Sequence, residues 1–172
     1  MATVYTTRQR LIGERERLEA TLAHDRELSD VADLRQLLDE TASAVHHVNG
    51  AMESAWFTMN MGPVAYRNLH KADQEAEDKL WEAVKPLALL TPRIRLRLGA
   101  DDAITTACTD IEVAVGMMTY AHTGRRIHQA NQENQERAEE KAEDAQVRNK
   151  AATETFFAAA SERAGTLILP RQ

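Results

Sequence analysis

The longest regular pattern of apolar positions in the chain lies between residues 31 and 59. Apolar and small side chains recur there in alternating steps of three and four residues, so they share one side of an α-helix. The stripe consists of Val31, Leu34, Leu38, Thr41, Val45, Val48, Met52, Ala55 and Met59. It passes Asn49-Gly50 without a change of phase, and we predict a continuous helix that packs in a bundle or a coiled coil.

Three shorter stripes predict three more helices, since each repeats at the same helical spacing. The second contains Tyr66, Leu69, Ala72, Ala76, Leu80, Ala83 or Val84, and Leu87, with Trp81 beside it. The third contains Ile104, Cys108, Ile111, Val115, Met118 and His122. The fourth contains Ala138, Ala142, Ala145, Ala152, Phe156, Ala159 and Ala160. Together the four stripes predict an all-α fold, a four-helix antiparallel bundle.

Proline, glycine and acidic residues indicate where these helices begin and end. We expect Pro86 to kink or end the second helix and Thr91-Pro92 to close it, because proline cannot continue the helical hydrogen bonds. Residues 93–98 alternate like a strand but have no partner strand, so we interpret them as a connector. The connector leads to Asp101, which we expect to cap the third helix. The polar residues 125–133 form either part of a long solvated helix or a disordered link, and we favour a break between residues 124 and 132.

The first 28 residues carry only a thin apolar stripe. Its members are Val4, Leu11, Leu18 and Leu22. The stripe leaves the phase of the next one near Glu27, which predicts an amphipathic or coiled-coil helical arm joined to the core by a kink. The predicted organisation is an arm over residues 1–28, a four-helix core over 29–165 and a tail over 166–172. The sequence leaves open whether the arm packs on its own core or on another copy.

The composition agrees with a helical protein that does not enter the membrane. Of the 172 residues 43% are hydrophobic, and only 7 are glycine and 4 proline. No apolar run approaches the roughly 18 residues that a transmembrane helix needs. A net charge of −6 opposes binding to the phosphates of nucleic acids. Because there is no signal-peptide pattern and Cys108 is the single cysteine, we expect a cytoplasmic protein.

Patterns typical of metal sites are missing from the sequence. No E-x-x-H pair occurs, although such pairs supply the ligands of di-metal bundles. His46 and His47 are adjacent, so they point about 100° apart on a helix. His70 and Asp73 have ligand spacing, but a metal site needs three or more converging ligands. We therefore expect no bound metal or other cofactor.

Cys108 and His122 are the candidates for a nucleophile and its base. They belong to the same stripe but lie about 21 Å apart along the helix, so they cannot touch within it. We interpret Cys108 as a small buried hydrophobe. His122 is expected near the end of the bundle, half exposed. Since no catalytic arrangement is found, we expect the protein not to be an enzyme.

Arginines form the only dense basic features. Arg93, Arg95 and Arg97 precede the start of the third helix, where they could contact an anion. The ordinary alternative is that they pair with the acidic residues of segment 29–60. Arg125 and Arg126 follow the third helix, and we expect them at the opposite end of the bundle.

Methionine and tryptophan are the candidates for an apolar ligand pocket. Met52, Trp56, Met117 and Met118 could line such a pocket between the helices, because flexible apolar side chains adapt to varied ligands. Filling of the core is the more common use of these residue types.

Three short segments resemble a broad group of helical bacterial proteins of unknown function, some soluble and some membrane-anchored. The segments are Ala-Asp-Leu-Arg-Gln-Leu-Leu-Asp-Glu at 32–40, Pro-Arg-Ile-Arg-Leu-Arg-Leu-Gly at 92–99 and Thr-Phe-Phe-Ala-Ala-Ala at 155–160. The resemblance covers roughly residues 30–165 and implies a four-helix core. Many members carry a transmembrane helix or coiled coil ahead of this core, where the present chain has its arm. The group implies no catalytic residues.

The sequence as a whole favours a non-enzymatic helical interaction or scaffolding protein. We expect it to form a homo-oligomer or to bind a protein partner, without nucleic acid and without membrane insertion. The alternative is a regulatory helical bundle that senses a small molecule in the pocket lined by methionine and tryptophan.

Overall fold

Four long helices account for nearly all of the residues that the structure describes. The structure is a computed structural model that describes residues 2–60, 66–127 and 132–166, with the backbone alone for 2–16 and 66–69. The helices are α1 (Ala2–Asn60), α2 (Tyr66–Leu98), α3 (Ala103–Ile127) and α4 (Gln132–Thr166). The described ranges contain no β-strand, and the predicted all-α, four-helix fold is confirmed.

The chain divides into two units, an N-terminal unit of residues 1–36 and a bundle unit of residues 37–172. Helix α1 contributes to both units and is continuous from Ala2 to Asn60, including Asn49-Gly50, as the stripe predicted. The predicted boundary between residues 28 and 29 stays a prediction, and residues 167–172 of the predicted tail lie outside the described residues.

The core of the bundle unit is formed by the four predicted stripes. In α1 every stripe member from Leu38 to Met59 is buried, and in α3 so are all six from Ile104 to His122. The buried residues of α2 include Ala76, Leu80, Ala83, Val84 and Leu87, and those of α4 include Ala138, Ala142, Ala145, Ala152 and Phe156. The helical spacing therefore identified most of the core. The stripe members Val31, Leu34, Ala72, Ala159 and Ala160 are only half-buried, and the side chains of Tyr66 and Leu69 lie outside the described residues. The buried Leu37, Leu90 and Ile94 belong to no predicted stripe.

Polar contacts join successive helices of the bundle unit. These contacts are Glu40–Arg93 between α1 and α2, Asp73–His122 and Thr91–Glu112 between α2 and α3, and Asp102–Arg163 between α3 and α4. Between α2 and α3 the first contact joins the beginning of α2 to the end of α3, and the second joins the end of α2 to the first half of α3. The antiparallel arrangement of the whole bundle stays a prediction.

Helix α2 is longer than the sequence indicated. Pro86 and Pro92 both lie inside it, and residues 93–98 are its last turns rather than a connector. Both prolines face solvent, where the missing backbone hydrogen bond is least costly. Ile94 is completely buried, so packing of the helix against the core outweighs the local preference of proline.

The turn between α2 and α3 depends on Gly99 and Asp102. Gly99 has a φ of 103° and donates its N–H to the carbonyl of Arg95 at 3.0 Å, which closes the end of α2. Asp102 caps α3, since its Oδ1 accepts the N–H of Ile104 at 2.9 Å. The predicted cap at Asp101 was wrong by one residue. Helix α3 also continues past Gly124 to Ile127, and residues 128–131 of the predicted break lie outside the described residues.

Gly99→Ala will destabilise the protein by about 1–2 kcal/mol, because a side chain disfavours positive φ. Gly116→Ala is the matched control, since Gly116 is exposed inside α3 and an added Cβ meets open space. It should raise stability by about 0.5–1 kcal/mol. Urea unfolding of both variants measures the two effects, and equal stabilities would contradict the assignment of Gly99.

Candidate functional site

Three ionisable side chains meet inside the bundle unit and form what we call the buried polar cluster: Asp73, His122 and Arg125. Asp73 and His122 are fully buried and Arg125 is 5% exposed. His122 Nδ1 lies 2.7 Å from Asp73 Oδ1, and Arg125 Nε donates to Asp73 Oδ2 at 3.1 Å. Arg125 Nη2 also donates to Asp73 Oδ1, so the guanidinium forms hydrogen bonds with both carboxylate oxygens.

The same cluster holds the C-terminal end of α1. Arg125 donates to the carbonyls of Met59 and Thr58, at 2.5 Å and 3.0 Å, while His122 Nε2 lies 3.2 Å from the carbonyl of Ala55. The last four carbonyls of a helix have no partner within it, and its C-terminus carries partial negative charge. A cationic side chain is therefore well placed there, and the cluster ties α1, α2 and α3 together.

The electrostatics of the cluster depend on Asp73. Burial alone would raise the pKa of its carboxyl group. The hydrogen bonds from His122 and Arg125, and the positive charge of Arg125, outweigh burial and hold the pKa below its ordinary value. The carboxylate is thus ionised in the folded protein at neutral pH and balances the guanidinium charge.

An aspartate bonded to a histidine also occurs in catalytic triads, where the aspartate orients the base. Here the second ring nitrogen of His122 faces the carbonyl of Ala55, so it is not directed at a nucleophile or a substrate. Both ring nitrogens of His122 therefore lie against oxygen atoms of the protein itself. The arrangement favours a structural role for the cluster over proton transfer to a bound molecule.

The sequence did not predict this cluster. His122 was expected to be half exposed, which is wrong, because it is buried against Asp73 and α1. Asp73 bonds to His122 and Arg125, while its sequence neighbour His70 is exposed. A usable signal was present, since Asp73 lies three residues before Ala76 and shares the phase of the α2 stripe. An ionisable residue in phase with an apolar stripe is buried and needs a partner.

The structure places the candidate anion-binding residues on the last turns of α2, where all three are exposed. Arg93 lies 3.4 Å from Glu40, which belongs to the acidic segment 29–60. Arg125 contacts α1 at Met59, 19 residues beyond Glu40, which is about 28 Å along a helix. The two arginine groups therefore lie at opposite ends of the bundle unit, and anion binding by Arg93, Arg95 and Arg97 stays a prediction.

The candidate pocket residues are divided between core and surface. Met52 and Met118 are fully buried and fill the core, whereas Trp56 and Met117 are partly exposed. Ligand binding by these four residues stays a prediction.

A groove of about 550 Å³ lies between α1 and α2 in the bundle unit. Small residues line part of it, namely Gly50, Ala51, Ser54 and Ala83. The other lining residues are polar or charged: His46, His47, Asp78, Lys79 and Glu82. This groove was not predicted from the sequence, because its residues lie on two helices and the spacing of residues within each helix does not give their relative rotation.

Cys108 is buried as predicted. Burial, and then the nearby charge of Glu112, raise the pKa of its thiol to about 12, so it remains protonated and unreactive at neutral pH. Among the residues that the structure describes, no group of three or more histidine, cysteine, aspartate or glutamate side chains could hold a metal ion. Over the same residues, no helix is long and apolar enough to cross a membrane.

No protein-family model matches the chain, and no curated protein or solved structure is significantly similar to it.

Proposed function

We propose that this protein is a non-enzymatic helical interaction or scaffolding protein of the cytoplasm that self-associates through its N-terminal unit. The observation that carries the proposal is the exposure of that unit over residues 17–36, where its side chains are described. Between residues 17 and 36 no side chain is buried, and Leu18 and Leu22 are 64% and 55% exposed. Such leucines on a helix with no core of its own are typical of a surface that packs against another helix.

The bundle unit supports this proposal because it has a hydrophobic core of its own. That core contains large, fully buried side chains, among them Phe156, Leu80 and Leu87. Its buried polar cluster joins three helices and offers neither ring nitrogen of His122 to a substrate. Interaction through an attached helix needs no catalytic group, which agrees with the absence of catalytic patterns from the sequence.

Replacing Leu18 and Leu22 by glutamate will convert the full-length protein from an oligomer into a monomer. Two charges on each helix cannot be buried against a second copy without a partner charge. The measurement is the solution mass by light scattering after size exclusion, at several protein concentrations.

The matched control is the double variant Leu89→Glu/Leu96→Glu. Both residues are exposed leucines on α2 in the bundle unit, at 75% and 89%. This variant should keep the oligomer. A wild-type monomer at the highest concentration, or loss of the oligomer only in the α2 variant, would contradict the proposal.

The groove between α1 and α2 favours a second candidate function, the sensing of a small molecule. Its volume of about 550 Å³ lies within the range of ligand sites, and its lining combines small residues with polar groups. Trp81 is adjacent in sequence to Glu82, which lines the groove, and Trp56 lies two residues beyond Ser54. A panel of metabolites should then include one that changes tryptophan fluorescence, and no change across the panel would count against sensing.

A further inference from the structure

The two halves of the N-terminal unit carry opposite charge. Residues 8–17 contain four arginines against two glutamates, a net charge of +2. Residues 25–33 contain four acidic residues against one arginine, a net charge of −3. The exposed Leu18 and Leu22 lie between these two segments on a helix that is continuous through all of them.

We propose that two copies of the chain pair through their N-terminal units in antiparallel orientation, with the two-fold axis beside Ala20. The proposal rests on the proposed self-association and adds to it the direction of the partner helix. In this register Leu18 packs against the partner's Leu22, and Leu22 against the partner's Leu18. The contact is isologous and closes as a dimer.

Charge complementarity decides the orientation. In the antiparallel pair, segment 8–17 of one copy lies beside segment 25–33 of the other, so a charge of +2 faces a charge of −3 twice. In a parallel pair each segment faces the same segment of the other copy, which places like charge against like charge along both halves. Like charges facing each other across a helix pair select against that arrangement.

The leucines alone would not decide between the two orientations, because four leucines gather near Ala20 in either pair. Their contribution is the apolar contact itself, at roughly 25 cal/mol per Å² of buried apolar surface. The charged segments on either side therefore determine direction, while Leu18 and Leu22 determine that pairing occurs.

Distances between spin labels in the full-length protein test the orientation. A label at Ala32→Cys lies 12 residues from the axis, so the two labels of an antiparallel dimer are about 36 Å apart along the helices. In a parallel dimer the helices bring them to about 10 Å, plus the length of the labels. A label at Thr21→Cys lies one residue from the level of the axis, at the edge of the helix face that carries Leu18 and Leu22, and gives a short distance in both cases. Residues 21 and 32 are exposed, and the buried Cys108 is not labelled under the same conditions.

The two labels separate the failure of this inference from the failure of self-association. A short distance at residue 21 with about 36 Å at residue 32 is the expected result. Short distances at both positions would show a parallel dimer, which overturns the antiparallel pairing and leaves self-association intact. No dipolar coupling at residue 21 would overturn both. The variant Leu18→Glu/Leu22→Glu, carrying the label at residue 21, must lose the coupling.

Discussion

Asp73→Asn will destabilise the bundle unit by about 3–5 kcal/mol, the usual cost of removing one partner from a buried ion pair. Asparagine has nearly the shape of aspartate but no charge, so the guanidinium of Arg125 remains buried without its counter-charge. The contacts of Arg125 with Thr58 and Met59 remain possible, yet carbonyl dipoles only partly replace a carboxylate. Urea unfolding at neutral pH, followed by circular dichroism, measures the loss of free energy of unfolding.

The matched control for this variant is Asp78→Asn on the same helix. Asp78 is exposed, and its replacement should change stability by no more than about 0.5 kcal/mol. If the two variants were equally stable, the buried polar cluster would not contribute to the stability of the folded protein.

The dependence of the free energy of unfolding on acid pH is a second measurement of the contribution of Asp73. The pKa of the Asp73 carboxyl group is lower in the folded than in the unfolded protein, so the folded state favours the ionised carboxylate. The resulting stability is present above the unfolded pKa, about 3.9 for an aspartate, and is lost as the pH falls below it through the folded pKa. Asp73→Asn should therefore lose less stability than the wild type between neutral pH and strong acid.

Phe156→Ala will destabilise the protein by about 3–5 kcal/mol. Phe156 is among the largest side chains that are completely buried, and α4 otherwise contributes mainly alanines to the core. Because the other buried residues of α4 are mainly alanines, α4 itself has no large buried side chain to fill the space, and a residual cavity adds to the lost burial. Thermal and urea unfolding of the full-length protein measure the effect.

Phe157→Ala is the matched control, because the same change is made one residue away. Phe157 is 39% exposed and contacts Phe156 edge to face, with ring centroids 5.3 Å apart. Its loss removes that contact and part of its burial, at a cost of no more than about 1.5 kcal/mol. A larger loss for Phe157 than for Phe156 would mean that α4 presents a different face to the core.

The fold was predictable because the helical spacing of apolar residues depends on many positions, and it indicates a helix even where a single residue such as proline suggests that the helix ends. The stripes of α1, α3 and α4 identified the buried positions, and alanine at many of them did not obscure the pattern. Pro86 and Pro92 misled the prediction of α2, since local rules treat proline as a helix end and cannot weigh the burial of Ile94. The end of α2 was therefore placed too early.

The buried polar cluster was not predictable from spacing, because its members are 49 and 52 residues apart along the chain. Periodicity shows that Asp73 and His122 are in phase with buried stripes, but it does not show which residues face each other. The groove between α1 and α2 was missed for the same reason. Which side chains of two helices face each other depends on the rotation of each helix about its own axis, and that rotation cannot be read from a single sequence.

The carbonyl contacts of Arg125 and His122 also have a consequence for the axial register of α1. The buried face of α1 is formed mainly by leucine, valine and methionine side chains, whose packing opposes sliding, and the carbonyl bonds add a directional constraint. A slide of one residue moves a helix by about 1.5 Å, enough to break hydrogen bonds to particular carbonyls. Those bonds use main-chain atoms of Ala55, Thr58 and Met59, so they do not depend on which side chains occupy the three positions, whereas they do depend on Asp73, His122 and Arg125.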